Sequence, residues 1–154
     1  MQSLNLPDYS SSLRINTNDG TIFDSFRKKT VKLTPEEWVR QNFLMFLKID
    51  KKYPVGLLSV EMGLTLNNLS RRCDIVGFDS KGQARLIVEC KAPKVKINQK
   101  TFDQIATYNL KLKVDYLIVT NGLSHYCCKM DYSDNSYAFL EDIPEYADII
   151  RVCL

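Results

Sequence analysis

The sequence predicts an α/β fold in which a mixed β-sheet carries helices on its faces. Helix and strand patterns follow one another as a helix, three strands, a second helix and further strands. Several of the strands are short apolar runs bounded by turn residues, which is typical of strands buried in a sheet. The 154 residues are 45% hydrophobic and 25% charged, as expected for one domain with a core of normal size.

The N-terminal part of the chain predicts a hairpin followed by a helix. LRINT and TIFD flank the turn sequence Asn-Asp-Gly at 18–20, so residues 12–25 are expected to pair as a hairpin. The basic segment SFRKKTVKL that follows is predicted to be irregular. Thr34 and Glu37 form a capping-box sequence with a proline at the first helical position, which predicts a helix running to about Ile49.

The remaining elements follow from apolar runs and turn residues. LLSVEMGL (57–64), CDIVGF and ARLIVEC predict strands, and the turn DSKGQ joins the last two. Residues 98–113 predict the second helix, VDYLIVTNG (114–122) a buried strand, and HYCCKM with SYAFLE a hairpin around Asp134-Asn135. We therefore divide the single domain 1–154 into an N-terminal hairpin and basic extension (1–33), a core (34–140) and an acidic C-terminal tail (141–154).

Cysteine and histidine usage excludes several classes of site. The five cysteines contain no C-x-x-C pair and His125 is the single histidine, which argues against structural zinc and against a serine or cysteine triad. The N-terminus has no basic and apolar leader, and no apolar run is long enough to span a membrane. We therefore expect a cytoplasmic protein with free, buried thiols and with His125 as an ordinary strand residue.

Charge is distributed unevenly along the chain. Residues 91–113 hold six lysines and one acid, whereas residues 131–154 hold six acids and one arginine. The lysine-rich stretch predicts contact with a phosphate backbone, with Lys94, Lys96 and Lys100 as candidate nucleic-acid-binding residues. The alternative is a solvated, lysine-rich helix face.

Three charged residues predict a site of metal-assisted hydrolysis. Asp74 lies on one strand of the central hairpin, and Glu89 and Lys91 share one face at the end of its partner. Two carboxylates bind a hard cation such as Mg²⁺, while an ammonium group orients water and stabilises charge on a phosphate. The alternative is that all three are ordinary surface charges at strand ends.

The second helix carries two further candidates. Gln104 and Tyr108 are four residues apart and so lie on one helical face. A glutamine can orient water or a phosphate oxygen, and a tyrosine can hold the backbone or stack on a base. The alternative is a helix surface with a half-buried tyrosine.

These residues together resemble the PD-(D/E)XK nuclease superfamily. The chain resembles in particular the N-terminal nuclease domain of type I restriction enzyme R subunits and its small stand-alone relatives. The likeness covers roughly residues 20–130 and rests on IFDSFRKKTVKLTPEEWVRQNFLMFL, RRCDIVGFD, LIVECKAPKV, FDQIATYN and YLIVTNG. It implies a restriction-endonuclease-like fold around a mixed sheet. Cys73 stands where the superfamily name has proline.

The resemblance also implies roles for individual residues. Asp74, Glu89 and the backbone carbonyl of Cys90 would bind Mg²⁺ or Mn²⁺, and Lys91 would orient the attacking water. Gln104 and Tyr108 would support the site. Glu37 matches an acidic position that contributes to the metal site in many relatives; the capping box is the alternative role for it, and both roles are compatible. Arg40, one turn further along the helix, would pair with a site carboxylate or with a phosphate.

The function that follows is a Mg²⁺-dependent DNA endonuclease of restriction or repair type. The sequence has no Gly-x-x-x-x-Gly-Lys-Ser/Thr phosphate loop, so we expect no helicase motor of its own. DNA is the expected partner, together with restriction-modification or helicase subunits, and self-association is left open. The alternatives are a non-catalytic nucleic-acid-binding module and a subunit of a restriction or repair assembly that keeps the nuclease fold.

Overall fold

A small antiparallel sheet opens the structure, a computed structural model that describes residues 1–66 and 68–151. Its strands are β1 (Arg14–Asn16), β2 (Thr21–Asp24) and β3 (Lys29–Lys32). The hairpin predicted around residues 18–20 is confirmed, because β1 pairs with β2. The prediction that SFRKKTVKL is irregular is wrong, because β3 pairs with β2. This edge strand is mostly exposed, so it has no alternation of apolar and polar residues that the sequence could reveal.

Helix α1 (Pro35–Met45) begins where the sequence predicts and continues as a π-helical turn through Phe46–Asp50. The Thr34 hydroxyl accepts a hydrogen bond from the Glu37 N–H at 3.0 Å, which confirms the N-cap. The second half of the predicted capping box is wrong. The Glu37 carboxylate instead accepts hydrogen bonds from Arg27, Arg40 and Gln41. Charged donors bind a carboxylate more strongly than a neutral N–H does.

Six strands form the main sheet, in the order β4–β5–β6–β7–β8–β9. They are β4 (Leu58–Leu66), β5 (Leu69–Phe78), β6 (Ala84–Cys90), β7 (Tyr116–Thr120), β8 (His125–Asp131) and β9 (Ser136–Leu140). Strands β6 and β7 are parallel, and the other neighbouring strands are antiparallel. Helix α2 (Gln99–Leu112) makes the crossover that a parallel pair requires. The predicted α/β fold with a mixed sheet is therefore confirmed.

The two long helices cover opposite faces of the main sheet. On the α1 face, side chains of α1 share a core with Ile75, Val88, Cys90, Ile118 and Cys127. On the α2 face, side chains of α2 share a core with Val76, Ile87, Leu117, Val119 and Cys128. Burial on both faces explains why the central strands read as nearly continuous apolar runs.

The segment predicted as an acidic tail contains a short third helix, α3 (Tyr146–Ile149). Ile149 is fully buried in the α1-face core, and its carbonyl accepts a hydrogen bond from Arg85 Nη2 at 2.8 Å. The Tyr53 hydroxyl donates to the Pro144 carbonyl at 3.0 Å. The chain up to Ile149 is therefore packed against the core, and residues 152–154 lie outside the described part.

The described cysteines confirm the prediction of free thiols. Cys73, Cys90, Cys127 and Cys128 are buried and unbridged, whereas Cys153 lies outside the described residues. His125 is the first residue of β8, as expected of a strand residue, and burial lowers its pKa. Among the residues that the structure describes, no helix is long and apolar enough to cross a membrane.

Candidate active site

Asp74 and Glu89 occupy neighbouring positions where the pairing of β5 with β6 ends. Ile75 pairs with Val88, and the next residues in that direction are Asp74 and Glu89. Asp74 Oδ2 accepts a hydrogen bond from the Cys90 N–H at 2.8 Å, so a side chain replaces the backbone bond that would have continued the ladder. The hairpin thus brings the two predicted metal ligands to one place.

Lys91 follows directly after β6 and is half-buried. Its backbone N–H donates to the Thr120 carbonyl at 2.8 Å, which extends the pairing with β7 by one residue. The Cys90 thiol between Glu89 and Lys91 is buried, and burial together with the negative charge of Asp74 raises its pKa. The thiol therefore stays protonated at neutral pH, and a protonated thiol is a poor nucleophile.

Arg40 lies at the centre of a group of carboxylates. Its guanidinium contacts Asp74 at 2.9 Å, Glu61 at 2.7 Å and Glu36 at 3.4 Å, and it also bonds Glu37. These acids come from α1, β4 and β5, so one buried cation joins three elements. Burial lowers the pKa of Arg40, but the bond with Asp74 and the surrounding negative charges outweigh burial and raise the pKa overall. The guanidinium therefore stays charged.

Glu61 belongs to this group because the regular alternation of side chains between the two faces of the sheet is broken at the same position in β4 and β5. Val60 packs on the α1 face and Met62 on the α2 face, although alternate residues of a regular strand share a face. On β5, Ile75 likewise packs on the α1 face and Cys73 on the α2 face. Glu61, between Val60 and Met62, has a positive φ of 53°, which is uncommon for a residue other than glycine.

Sequence reasoning missed both Glu61 and Glu36. The one signal for Glu61 is a single charge within the apolar run LLSVEMGL, where a buried charge needs a partner. Glu61 finds two partners, since Arg72 Nε also donates to it at 2.9 Å. For Glu36, burial and the negative charge of Asp74 raise the pKa above its ordinary value.

The Glu37 side chain is buried and bonds to neighbouring side chains. Its Oε1 accepts from Arg27 Nη2 at 2.5 Å and from Gln41 Nε2 at 2.8 Å, and its Oε2 accepts from Arg40. Arg27 also bonds the buried Asp24 at the end of β2. The Glu37 carboxylate therefore connects the N-terminal sheet to the carboxylates around Arg40.

The three predicted metal ligands are all oxygen donors, namely the carboxylates of Asp74 and Glu89 and the backbone carbonyl of Cys90. Hard divalent cations prefer oxygen ligands, so the type of donor is suitable, and the binding of a metal by these residues stays a prediction. Within residues 1–66 and 68–151, no group of three or more His, Cys, Asp or Glu side chains is arranged to hold a metal. The Arg40 guanidinium supplies the positive charge among these carboxylates.

The two predicted supporting residues on α2 have different surroundings. The Tyr108 hydroxyl donates to the Ser70 carbonyl at 2.7 Å, so it ties α2 to β5 four residues before Asp74. Gln104 is exposed and lines a shallow groove with Lys100 and Thr107. The roles predicted for Gln104 and Tyr108 in supporting the metal ligands stay predictions.

The predicted nucleic-acid-binding residues also divide into two kinds. Lys94, Lys96 and Lys100 are exposed on the segment that links β6 to α2 and on the first turn of α2. Arg40 is buried and pairs with a site carboxylate, which is one of the two roles predicted for it. Contact of any of these four residues with a phosphate stays a prediction.

Comparison with known proteins identifies one family. The profile of the family described as Type I restriction enzyme R protein N terminus (HSDR_N) matches residues 35–144. A search of curated proteins found no match. A crystal structure of a DUF820 protein from Anabaena variabilis, which carries a provisional nuclease assignment, is similar with 10% identity and a TM-score of 0.49. That similarity covers 91% of this chain and 89% of the other.

Proposed function

The chain belongs to the type I restriction enzyme R protein N-terminal (HSDR_N) family, and from this we propose that it is a Mg²⁺- or Mn²⁺-dependent DNA endonuclease. One observation carries the proposal. Asp74 is fixed by Arg40 on one oxygen and by the Cys90 N–H on the other, beside Glu89 and Lys91. A preorganised pair of carboxylates next to a lysine suits hydrolysis of a phosphodiester.

Asp74, Glu89 and the Cys90 carbonyl would hold the metal. When bound, the metal would lower the pKa of water and neutralise charge on the phosphate. Lys91 would orient the attacking water and stabilise the negative charge that develops on the phosphate oxygens. Arg40 holds the Asp74 carboxylate in position, because its charged guanidinium contacts Asp74 Oδ1 at 2.9 Å.

The proposal places the chain in restriction or repair. Residues 1–154 hold no nucleotide-binding phosphate loop, so any strand separation would come from a helicase outside these residues. The exposed lysines Lys94, Lys96 and Lys100 would contact the DNA backbone next to the site. Assembly with restriction-modification subunits and self-association are both compatible with this arrangement.

The test is metal-dependent cleavage of linear, nicked, branched and single-stranded DNA, with RNA as a further substrate. We expect cleavage with Mg²⁺ or Mn²⁺, and loss of at least about a hundredfold in rate for Asp74→Asn or Glu89→Gln. Lys91→Gln should keep metal binding and lose most of the rate. The matched control is Glu141→Gln, at an exposed acid outside the site. Cleavage by Glu89→Gln at the parent rate would contradict the proposal.

The alternative is a non-catalytic module that binds nucleic acid through the same basic residues. It would bind DNA with the same salt dependence, but parent, Asp74→Asn and Glu89→Gln would all leave every substrate intact. Four carboxylates gathered around Arg40 favour the enzyme, because clusters of interacting ionisable groups are typical of functional sites.

A further inference from the structure

A recess next to the candidate active site is walled by aromatic side chains. Its volume is about 110 Å³, below the range for sites that enclose a whole small ligand, so it can accommodate only part of a ligand. It lies between the start of α2 and the β8–β9 hairpin, and its lining comprises Ile97, Asn98, Gln99, Phe102, Tyr126 and Phe139. Tyr126 is 38% exposed and Phe139 49% exposed, so two rings present apolar surface to solvent.

The rings of this recess are held in place by one another. Phe102 is buried, and its ring centroid lies 4.8 Å from that of Phe139 and 6.3 Å from that of Tyr126. Tyr137 lies 5.7 Å from Phe139 and contacts it edge to face. These spacings are typical of favourable aromatic pairs, so the exposed rings rest on a fixed support. The recess is therefore formed before any ligand binds.

The register of the main sheet fixes the distance from the recess to the site. Glu89 pairs with Val119 on β7, and Val119 pairs with Tyr126 on β8. Neighbouring strands are about 4.8 Å apart, so the backbones of Glu89 and Tyr126 are about 10 Å apart. Val119 and Phe102 belong to the α2-face core, and the Tyr126 ring contacts Phe102, so the recess lies on the α2 face.

Positive charge flanks the recess on the side of the β6–α2 segment. Lys94, Lys96 and Lys100 are exposed and surround the lining residues 97–99 in sequence. Exposed rings beside a row of lysines are the combination that binds single-stranded nucleic acid, since bases stack on the rings while cations contact phosphates. A purely apolar partner would leave these ammonium groups uncompensated.

We propose that this recess binds an unpaired nucleobase of a strand whose backbone passes along Lys94, Lys96 and Lys100. The inference rests on the proposed nuclease function and adds to it a class of substrate. Because the backbones of Tyr126 and Glu89 are about 10 Å apart, the stacked base would belong to a nucleotide close to the scissile phosphate. The preferred substrate therefore has a single-stranded stretch, such as a flap, a gap or an unwound end, beside the position of cleavage.

The experiment measures binding in EDTA, so that no cleavage occurs. Fluorescence anisotropy compares a labelled oligothymidylate with an abasic oligomer that has the same number of phosphates. We expect the parent to bind the oligothymidylate about 5- to 150-fold more tightly, the range of one base stacked on an aromatic ring. The variant Tyr126→Ala/Phe139→Ala should lose this preference and keep the salt dependence of binding.

Two controls keep the result interpretable. Tyr126→Phe/Phe139→Tyr preserves both rings and should keep the preference for bases. If the alanine variant fails to fold, this variant still tests whether the rings are sufficient for the preference. Leu123→Ala removes an exposed apolar side chain outside the recess and should also keep the preference. Equal binding of both oligomers by the parent would overturn the inference.

Other outcomes separate this inference from the proposed nuclease function. Cleavage by a parent that shows no preference for bases leaves the nuclease standing and refutes the base site. A preference for bases without cleavage of any substrate supports the base site and refutes the nuclease. If the parent self-associates and only the alanine variant is monomeric, with equal binding of both oligomers, the recess is an interface between copies and the inference is wrong.

Discussion

Arg40 and the lysines at 94, 96 and 100 are positive charges near the candidate site, but their surroundings are opposite. Arg40 is 5% exposed and contacts acids from three elements, whereas Lys94, Lys96 and Lys100 are exposed on one continuous segment. A buried charge with several partners determines which conformation is stable, while exposed lysines contribute mainly to the field that a ligand meets. Similar charges thus stabilise the fold in one region and are exposed to any ligand in the other.

The largest effect is expected from Arg40→Met. The change leaves four carboxylates gathered without their common cation, so we expect the free energy of unfolding to fall by about 3–5 kcal/mol in urea at pH 7. The matched control is Arg72→Met, because Arg72 also contacts Glu61 but its side chain is 73% exposed. That control should change the free energy by less than about 1 kcal/mol. Equal losses in both variants would show that burial of Arg40 is unimportant.

A bound metal should stabilise the folded protein through Asp74 and Glu89, next to Arg40. It should make no contact with the exposed lysines. A divalent ion at one hundred times its Kd should raise the free energy of unfolding by about 2.7 kcal/mol, measured as an increase in Tm with Mg²⁺, Mn²⁺ or Ca²⁺. Asp74→Asn/Glu89→Gln removes both ligand charges with little change of shape and should show no increase. An identical response of parent and double variant would place the metal elsewhere.

Glu36→Gln should stabilise the protein slightly at neutral pH. Burial and the charge of Asp74 raise the pKa of Glu36 above its ordinary value of 4.5, so ionised Glu36 destabilises the folded state. We expect a gain below about 1 kcal/mol in EDTA at pH 7, since the group is partly exposed. The gain should disappear as pH falls below 4.5, where Glu36 is protonated in both states. A gain that grows towards low pH would contradict this assignment.

The smallest effect on stability is expected from replacing the exposed lysines. Lys94→Gln/Lys96→Gln/Lys100→Gln should change the free energy of unfolding by less than about 0.5 kcal/mol. It should weaken binding to all DNA sequences alike and reduce the log–log salt slope by roughly one unit for each phosphate that is no longer bound. The matched control changes Lys48, Lys52 and Lys81, which lie outside this segment. Equal slopes in the two triple variants would mean that residues 94–100 are merely solvated.

The sequence predicted those parts of the molecule that have local signals. The cap at Thr34, the turn at 18–20 and the buried runs of β6 and β7 each produce a pattern within a few residues. Strand β3 has no such pattern, because its side chains are mostly exposed. A prediction from periodicity therefore fails where an edge strand buries little apolar surface.

The candidate site was predictable only in part, for a similar reason. Asp74, Glu89 and Lys91 lie on one hairpin and are recognisable from spacing along the chain. Glu61 reaches Arg40 through a residue with positive φ and a change of face, which strand alternation does not anticipate. The number of acids around Arg40 depends on the packing of α1 against β4 and β5, which is a property of the tertiary structure.

The parallel pairing of β6 with β7 has a consequence for the order of folding. The antiparallel hairpins β4–β5–β6 and β8–β9 close short loops, whereas β6 meets β7 only after α2 has crossed the sheet. Long-range pairing of this kind is slow, because the chain loses its loop-closure entropy before the strands begin to interact. We therefore expect the amide of Lys91, bonded to Thr120 across the parallel pair, to gain protection in pulsed hydrogen exchange later than the amides of β5. The row that joins Glu89 to Tyr126 would then be completed last, so a folding intermediate with its hairpins formed would have Asp74 beside Glu89 but would lack the pairing that brings Tyr126 near them.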